Sequence, residues 1–118
     1  MSYKKTFTKE LRIRECKEVI SKNPNKVPII CERAPDDNIP EFKKTKYLLN
    51  RDFTIANFIA LLKTKLKLGK KDALFLIAEK GNHHNALTGN DALGDVYDKY
   101  KDEDGFLYII CASKEIWG

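Results

Sequence analysis

No apolar run in the 118-residue chain approaches the ~20 residues a helix needs to cross a bilayer, so no membrane-spanning helix is expected. The N-terminal segment, MSYKKTFTKELR, lacks the apolar stretch of a secretory leader, which argues against export by the usual route. Cysteine is sparse. Cys16, Cys31 and Cys111 are an odd set with no C-x-x-C spacing, which points to reduced, apolar core residues of a cytoplasmic protein rather than to disulfides. Catalytic signatures are missing too: the chain has no G-x-S-x-G, H-E-x-x-H, G-x-x-x-x-G-K-[ST] or G-x-G-x-x-G. Gly89 and Gly94 have the separation of a phosphate loop, but Asp95 stands where lysine is needed. His83 and His84 are adjacent, so their side chains diverge, and no Cys or carboxylate cluster is spaced to complete a metal site. Asp102-Glu103-Asp104-Gly105 hints at a calcium loop, yet Tyr100 and Cys111 occupy positions that require carboxylates. Catalysis is the least supported class, and neither cofactor nor metal is expected.

What the chain does have is a globular balance, with 42% hydrophobic and 33% charged residues. That suits one domain with one core. There is no repeat, low-complexity tract or long linker. The formal charge is +5 but unevenly spread: residues 1–71 hold 18 basic against 8 acidic side chains, and residues 72–118 hold 4 against 9. A basic face of this kind attracts nucleic acid, an anionic membrane or an acidic peptide, or is simply solvated.

The spacing predicts a helix from about Thr8, its N-cap, to Lys22, stopped by Asn23-Pro24, with Leu11, Cys16, Val19 and Ile20 on one stripe. Val27–Arg33 reads as a strand with Pro28 near its start or on an edge. After a loop at 34–40, Lys44–Leu49 reads as a second strand broken by Asn50-Arg51-Asp52. Thr54 caps the strongest helix, Ile55 to Leu66, with Ile55, Phe58, Leu61, Leu62 and Leu66 apolar and Gly69 as the C-terminal glycine. Ala73–Ala78 is a buried strand and Glu79–Gly89 a polar loop. A short helix begins near Asp91, with Leu93, Val96, Tyr97 and Tyr100 on one face, and Phe106–Cys111 is the last strand. The order helix, two strands, helix, strand, helix, strand predicts an α+β fold. Its leading form is a ubiquitin-like β-grasp: a four-stranded mixed sheet with a central helix, plus an N-terminal helical extension.

Lys43-Lys44-Thr45-Lys46-Tyr47-Leu48-Leu49 alternates long basic with apolar side chains. As an edge strand it offers free backbone groups to an extended peptide, with Lys44 and Lys46 favouring acidic flanks. The bland alternative is that the lysines only protect the edge from aggregation.

Five segments then occur in fixed order: V-P-I-I-C-E-R (Val27 to Arg33), K-K-T-K-Y-L-L (Lys43 to Leu49), D-x-T-x-x-x-F (Asp52 to Phe58), D-A-L-F (Asp72 to Phe75) and Y-K-D-E-D-G-F-L-Y (Tyr100 to Tyr108), ahead of a final glycine. As an ordered set they resemble the autophagy-related ubiquitin-like modifiers, the group that includes the GABA-receptor-associated protein and microtubule-associated light chain proteins. The resemblance runs from about Phe7 to Gly118. It implies a helical extension over 1–24, a ubiquitin-like domain over 25–111 and a flexible tail over 112–118 that ends in a conjugatable glycine.

The resemblance further implies a modifier that is not itself an enzyme, joined through Gly118 to phosphatidylethanolamine on autophagosomal membranes. There it recruits cargo receptors and adaptors carrying a [W/F/Y]-x-x-[L/I/V] motif. The implied partners are activating and conjugating enzymes, a deconjugating cysteine protease, those receptors, and phosphatidylethanolamine membranes, with no nucleic acid. The implied location is cytoplasmic, and on autophagosomes or related vesicles once lipidated. Carried over residue by residue, the aromatic pocket is lined by Glu15, Val19, Pro28, Ile30, Lys46, Leu48 and Phe106. The aliphatic pocket is lined by Tyr47, Leu49, Phe53, Phe58 and Leu61, and Lys26, Lys44 and Lys65 form a basic rim. Two features depart from the family pattern: Asn50 stands in place of a proline, and the 79–89 loop is longer and lacks its usual proline. With Gly118 already terminal, conjugation is expected to need no prior proteolysis. The competing classes are a sequence-independent nucleic-acid binder and a ubiquitin-like modifier attached to protein lysines.

Overall fold

A computed structural model describes residues 2–114. Helix α1 spans Tyr3–Thr6, with the Ser2 side chain accepting from the Lys5 amide. Helix α2 spans Lys9–Lys22, and the Thr8 side chain accepts from the Leu11 amide as an N-cap. The expected stripe is only partly apolar. Leu11 is 44% exposed, and Arg12 is buried beside Cys16 instead.

Strand β1 (Lys26–Arg33) pairs antiparallel with β2 (Lys46–Asn50), so Asn50 ends the strand rather than breaking it. Pro28 faces no lost bond. The Cys31 amide donates toward β2, to the Thr45 carbonyl, so amides of even-numbered residues in β1 point to the other neighbour. Pairing on that side begins only at Ile29.

Helix α3 (Ile55–Leu66) opens with a reciprocal capping box between Thr54 and Asn57. It buries Ile55, Phe58 and Leu62. Its C-terminal left-handed residue is Lys67 at φ +57°, two positions before the expected Gly69. Asp72 holds Gly69 in place, accepting from its amide at 2.7 Å.

Strands β3 (Phe75–Lys80) and β4 (His83–Ala86) form an antiparallel hairpin across Gly81-Asn82, where Gly81 supplies φ +59°. The 79–89 segment is therefore part strand rather than a polar loop, and the sheet has five strands rather than four. Helix α4 (Leu93–Tyr100) buries Leu93, Val96 and Tyr97, and β5 (Leu107–Ala112) completes the sheet. The strand order is β2-β1-β5-β3-β4, with β1 and β5 parallel at the centre.

Helix α3 joins β2 to β3 and so carries the chain across the parallel central pair, from one side of the sheet to the other. Successive side chains of a strand face opposite ways. One face of the sheet, with Val27, Ile29, Cys31, Tyr47, Leu76, Leu107 and Ile109, builds the main core with α3 and α4. The other face carries Ile30, Phe106 and Tyr108, packed with Tyr3 and Cys16 of the helical extension. All three cysteines are free and buried, and burial pushes the Cys16 and Cys111 thiols up to about 12.

Candidate functional site

β2 lies at one end of the sheet, paired only with β1 among the described residues. The bond from Cys31 to the Thr45 carbonyl sets its parity: Thr45, Tyr47 and Leu49 turn their backbone groups toward β1. Lys46, Leu48 and Asn50 therefore turn theirs to the open side. The same alternation sends Tyr47 and Leu49 into the core beneath α3, and Lys46 and Leu48 to the α2 face.

On the α2 face stand the residues expected for an aromatic pocket. Ile30 (0% exposed) and Phe106 (3%) lie in one buried cluster, and Pro28 is fully buried opposite Leu48 in the register. They form a floor, not an open wall. The accessible groups are Glu15, Val19, Lys46 and Leu48. Lys46 donates to Glu15 from β2 to α2 across this floor. Burial alone would raise the Glu15 carboxyl, but hydrogen bonds from Lys46 and Tyr3 outweigh it and hold it below its ordinary value. Ile20, rather than its neighbour Val19, packs against the buried cluster.

Tyr3 was absent from the expected set. Its hydroxyl donates to Glu15 at 2.6 Å, its amide donates to Glu32 at 2.9 Å, and its ring meets Phe106 edge-on at 5.6 Å. The sequence signal was slight: a serine cap ahead of aromatics at Tyr3 and Phe7, one helical turn apart and 4.9 Å between rings.

On the α3 face the five residues expected for an aliphatic pocket belong to the main core or pack against it. Tyr47 and Phe58 are buried, their rings 5.3 Å apart and edge-to-face, while Leu49, Phe53 and Leu61 are half-buried around them. The lysines expected at the rim are exposed. Lys26 opens β1, Lys65 lies on α3, and the Lys44 ammonium sits 5.2 Å from the Tyr47 ring centroid. Among the described residues none of the three lysines is ion-paired. The expected attachment point, Gly118, lies outside the described residues.

The acidic turn that hinted at calcium has another use. Asp102 binds Lys4 at 2.6 Å, Glu103 binds Lys9 at 2.7 Å, and Asp104 binds Arg12 at 2.5 Å. Asp104 is fully buried and also accepts from the Tyr108 hydroxyl and the Phe106 amide. This turn clamps both N-terminal helices to the sheet. His83 and His84 are exposed on β4, with His84 3.1 Å from Glu79. Among the described residues no three potential ligands gather into a metal site, and no helix is long and apolar enough to cross a membrane.

A β-grasp sheet with a capped crossover helix, a two-helix N-terminal extension and an open strand edge flanked by apolar groups defines a ubiquitin-like protein. Comparison with known proteins specifies which kind. The family model described as "Autophagy protein Atg8 ubiquitin like" matches residues 11–118. Autophagy-related protein 8i of Arabidopsis thaliana is 36% identical over 118 residues, covering 99% of this chain and 98% of that protein. Autophagy-related protein 8 of Kluyveromyces lactis is 32% identical, covering 99% and 91%. The crystal structure of Trypanosoma brucei ATG8 superposes with a TM-score of 0.86 at 32% identity, covering 100% of this chain and 98% of that one. The chain belongs to the Atg8 family, the ubiquitin-like modifiers of autophagy.

Proposed function

We propose that the chain is conjugated through Gly118 to phosphatidylethanolamine on autophagosomal membranes and there recruits cargo receptors and adaptors bearing a [W/F/Y]-x-x-[L/I/V] motif. One observation carries the recognition half: the open edge of β2 has an apolar group on each face of the sheet. A peptide added along that edge is itself a strand, and side chains an odd number of positions apart point to opposite faces. The three-residue spacing of the motif therefore delivers its aromatic anchor to the Glu15, Val19, Pro28, Ile30, Lys46, Leu48 and Phe106 side. Its aliphatic anchor reaches Tyr47, Leu49, Phe53, Phe58 and Leu61. Lys26, Lys44 and Lys65 favour acidic residues on the peptide.

Family membership supports the conjugation half. The Gly118 carboxylate attacks the α-phosphorus of ATP and displaces pyrophosphate. An enzyme cysteine thiolate then displaces AMP, and the amine of phosphatidylethanolamine displaces the thiolate to form an amide. Every catalytic cysteine belongs to the activating enzyme, the conjugating enzyme or the deconjugating protease. The chain is a substrate, cytoplasmic until lipidation places it on the vesicle. A nucleic-acid role is disfavoured, because Tyr3, Tyr47, Phe58, Tyr97, Phe106 and Tyr108 are buried and, among the described residues, Phe7 alone of the aromatics is exposed, too little for a stacking platform.

Titration of a labelled W-x-x-L peptide with acidic flanks tests the recognition half. The expected Kd is micromolar, about −8 kcal/mol. Leu48→Ala and Leu49→Ala each trim one side of the edge, and together they should weaken binding at least ~tenfold. Unchanged binding by the double variant removes the pocket assignment.

A further inference from the structure

A single carboxylate ties the end of β5 to the loop between β1 and β2. Asp37 lies in the loop between β1 and β2, and its Oδ2 accepts from the Ser113 amide at 2.9 Å across 76 positions of sequence. Its Oδ1 accepts from the Ile39 amide at 3.1 Å. Asp37 is itself held firmly: its amide donates to the Ala34 carbonyl at 3.2 Å, and the Ala34 amide donates to Cys111 at 2.9 Å. Ile39 is buried in the main core, and the Arg33 guanidinium donates to its carbonyl at 2.8 Å. Ser113 is the last residue toward the C-terminus with a backbone hydrogen bond among the described residues. A small cavity of about 220 Å³, lined by Asn38, Ile39, Pro40, Leu68, Ala73 and Ser113, adjoins this point.

We infer that Asp37 is a positioning residue for conjugation: it ties down Ser113 so that the C-terminal residues leave the sheet from one place and in one direction. The inference rests on the proposal that Gly118 is the residue conjugated. Anchoring Ser113 fixes one residue more than β5 itself fixes. An enzyme that draws the glycine into a narrow channel must order whatever remains free, and each additional free residue adds conformational entropy to be lost on binding. A carboxylate suits this role because two oxygens take two amides at once, one from its own loop and one from the departing strand. Asp37 contacts no reacting atom and acts only through Ser113.

The experiment measures thioester formation with the ATP-dependent activating enzyme for the full chain, Asp37→Ala and Asp37→Asn, together with amide hydrogen exchange at Ser113. Asp37→Ala should expose the Ser113 amide and raise KM for the chain roughly three- to tenfold with kcat unchanged. Asp37→Asn keeps one acceptor oxygen but sets an NH2 donor against the second amide, so it should give a KM between those of the original and Asp37→Ala. Binding of the W-x-x-L peptide should be the same in all three, since Asp37 belongs to neither expected pocket nor to the basic rim. An unchanged Ser113 amide in Asp37→Ala overturns the anchor, and an exposed amide with unchanged KM overturns the positioning role. If the unsubstituted chain forms no thioester while another family member does in the same assay, the conjugation proposal fails, and this inference with it.

Discussion

Gly105 sits at φ +98°, and a Cβ placed there would lie 2.8 Å from Cys16 Sγ. Both facts oppose any other residue, because side chains avoid that backbone region and the sulfur is packed in a buried cluster. Gly105→Ala should lower unfolding stability by about 2–3 kcal/mol, read as a reduced urea midpoint. A midpoint equal to that of the parent contradicts the close packing of α2 on the 102–105 turn. Tyr47 needs the same distinction between packing and recognition. At 6% exposure, with its ring against Phe58, it belongs to the core as much as to the edge. Its truncation to alanine costs stability of about 3 kcal/mol or more before any peptide is added. Half-buried Leu48 and Leu49 are the better probes of binding.

Helix α3 could be read directly from the sequence, because a capping threonine, an i, i+3, i+4 apolar stripe and the right length all agree. Only its end could not. Lys67 adopts the left-handed conformation although Gly69 stood close by, because tertiary packing rather than local preference decides where the helix leaves the sheet. Lys67→Gly should relieve that strain and raise stability by about 0.5–1 kcal/mol, or about 2–4 °C in Tm. A lower Tm contradicts the capping account. β4 is not legible in the sequence for a different reason. Its residues, His-His-Asn-Ala, are almost wholly exposed and show no apolar alternation, and the only cue was a two-residue Gly-Asn turn after an apolar strand. The β2 edge was legible because lysines alternating with apolar residues mark a strand with one side in water. Tyr3 was not, since its contacts lie 12 and 29 positions away, and a four-residue helix shows no periodicity.

At the scale of the molecule, two bodies are joined: a ubiquitin-like sheet and a pair of helices clamped to its 102–104 turn. The clamp was invisible in the sequence because it depends on which cations pack against that turn. Its centre is the buried Arg12–Asp104 pair. Arg12→Met leaves Asp104 buried without its cation and should cost about 3 kcal/mol. The carboxyls of Asp102 and Glu15 both lie below their ordinary values, held there against burial by Lys4 and by Lys46 with Tyr3. Groups with depressed folded values contribute stability above the unfolded range, near pH ~4, and lose it as pH falls through their folded values. Thermal unfolding should therefore be nearly flat from about pH 7 to 5 and fall below about pH 4. A Tm that rises on acidification contradicts this arrangement.

What becomes attached to Gly118 decides the proposed function most directly. Mass spectrometry of the protein recovered from cells with autophagy induced measures this directly, as the mass and fragment pattern of the C-terminal peptide. The expected adduct is an amide between the Gly118 carboxyl and the amine of phosphatidylethanolamine, present in the membrane fraction and absent when Gly118 is deleted. An isopeptide bond from Gly118 to a lysine of another protein, or a free carboxylate throughout while autophagosomes form, would contradict it.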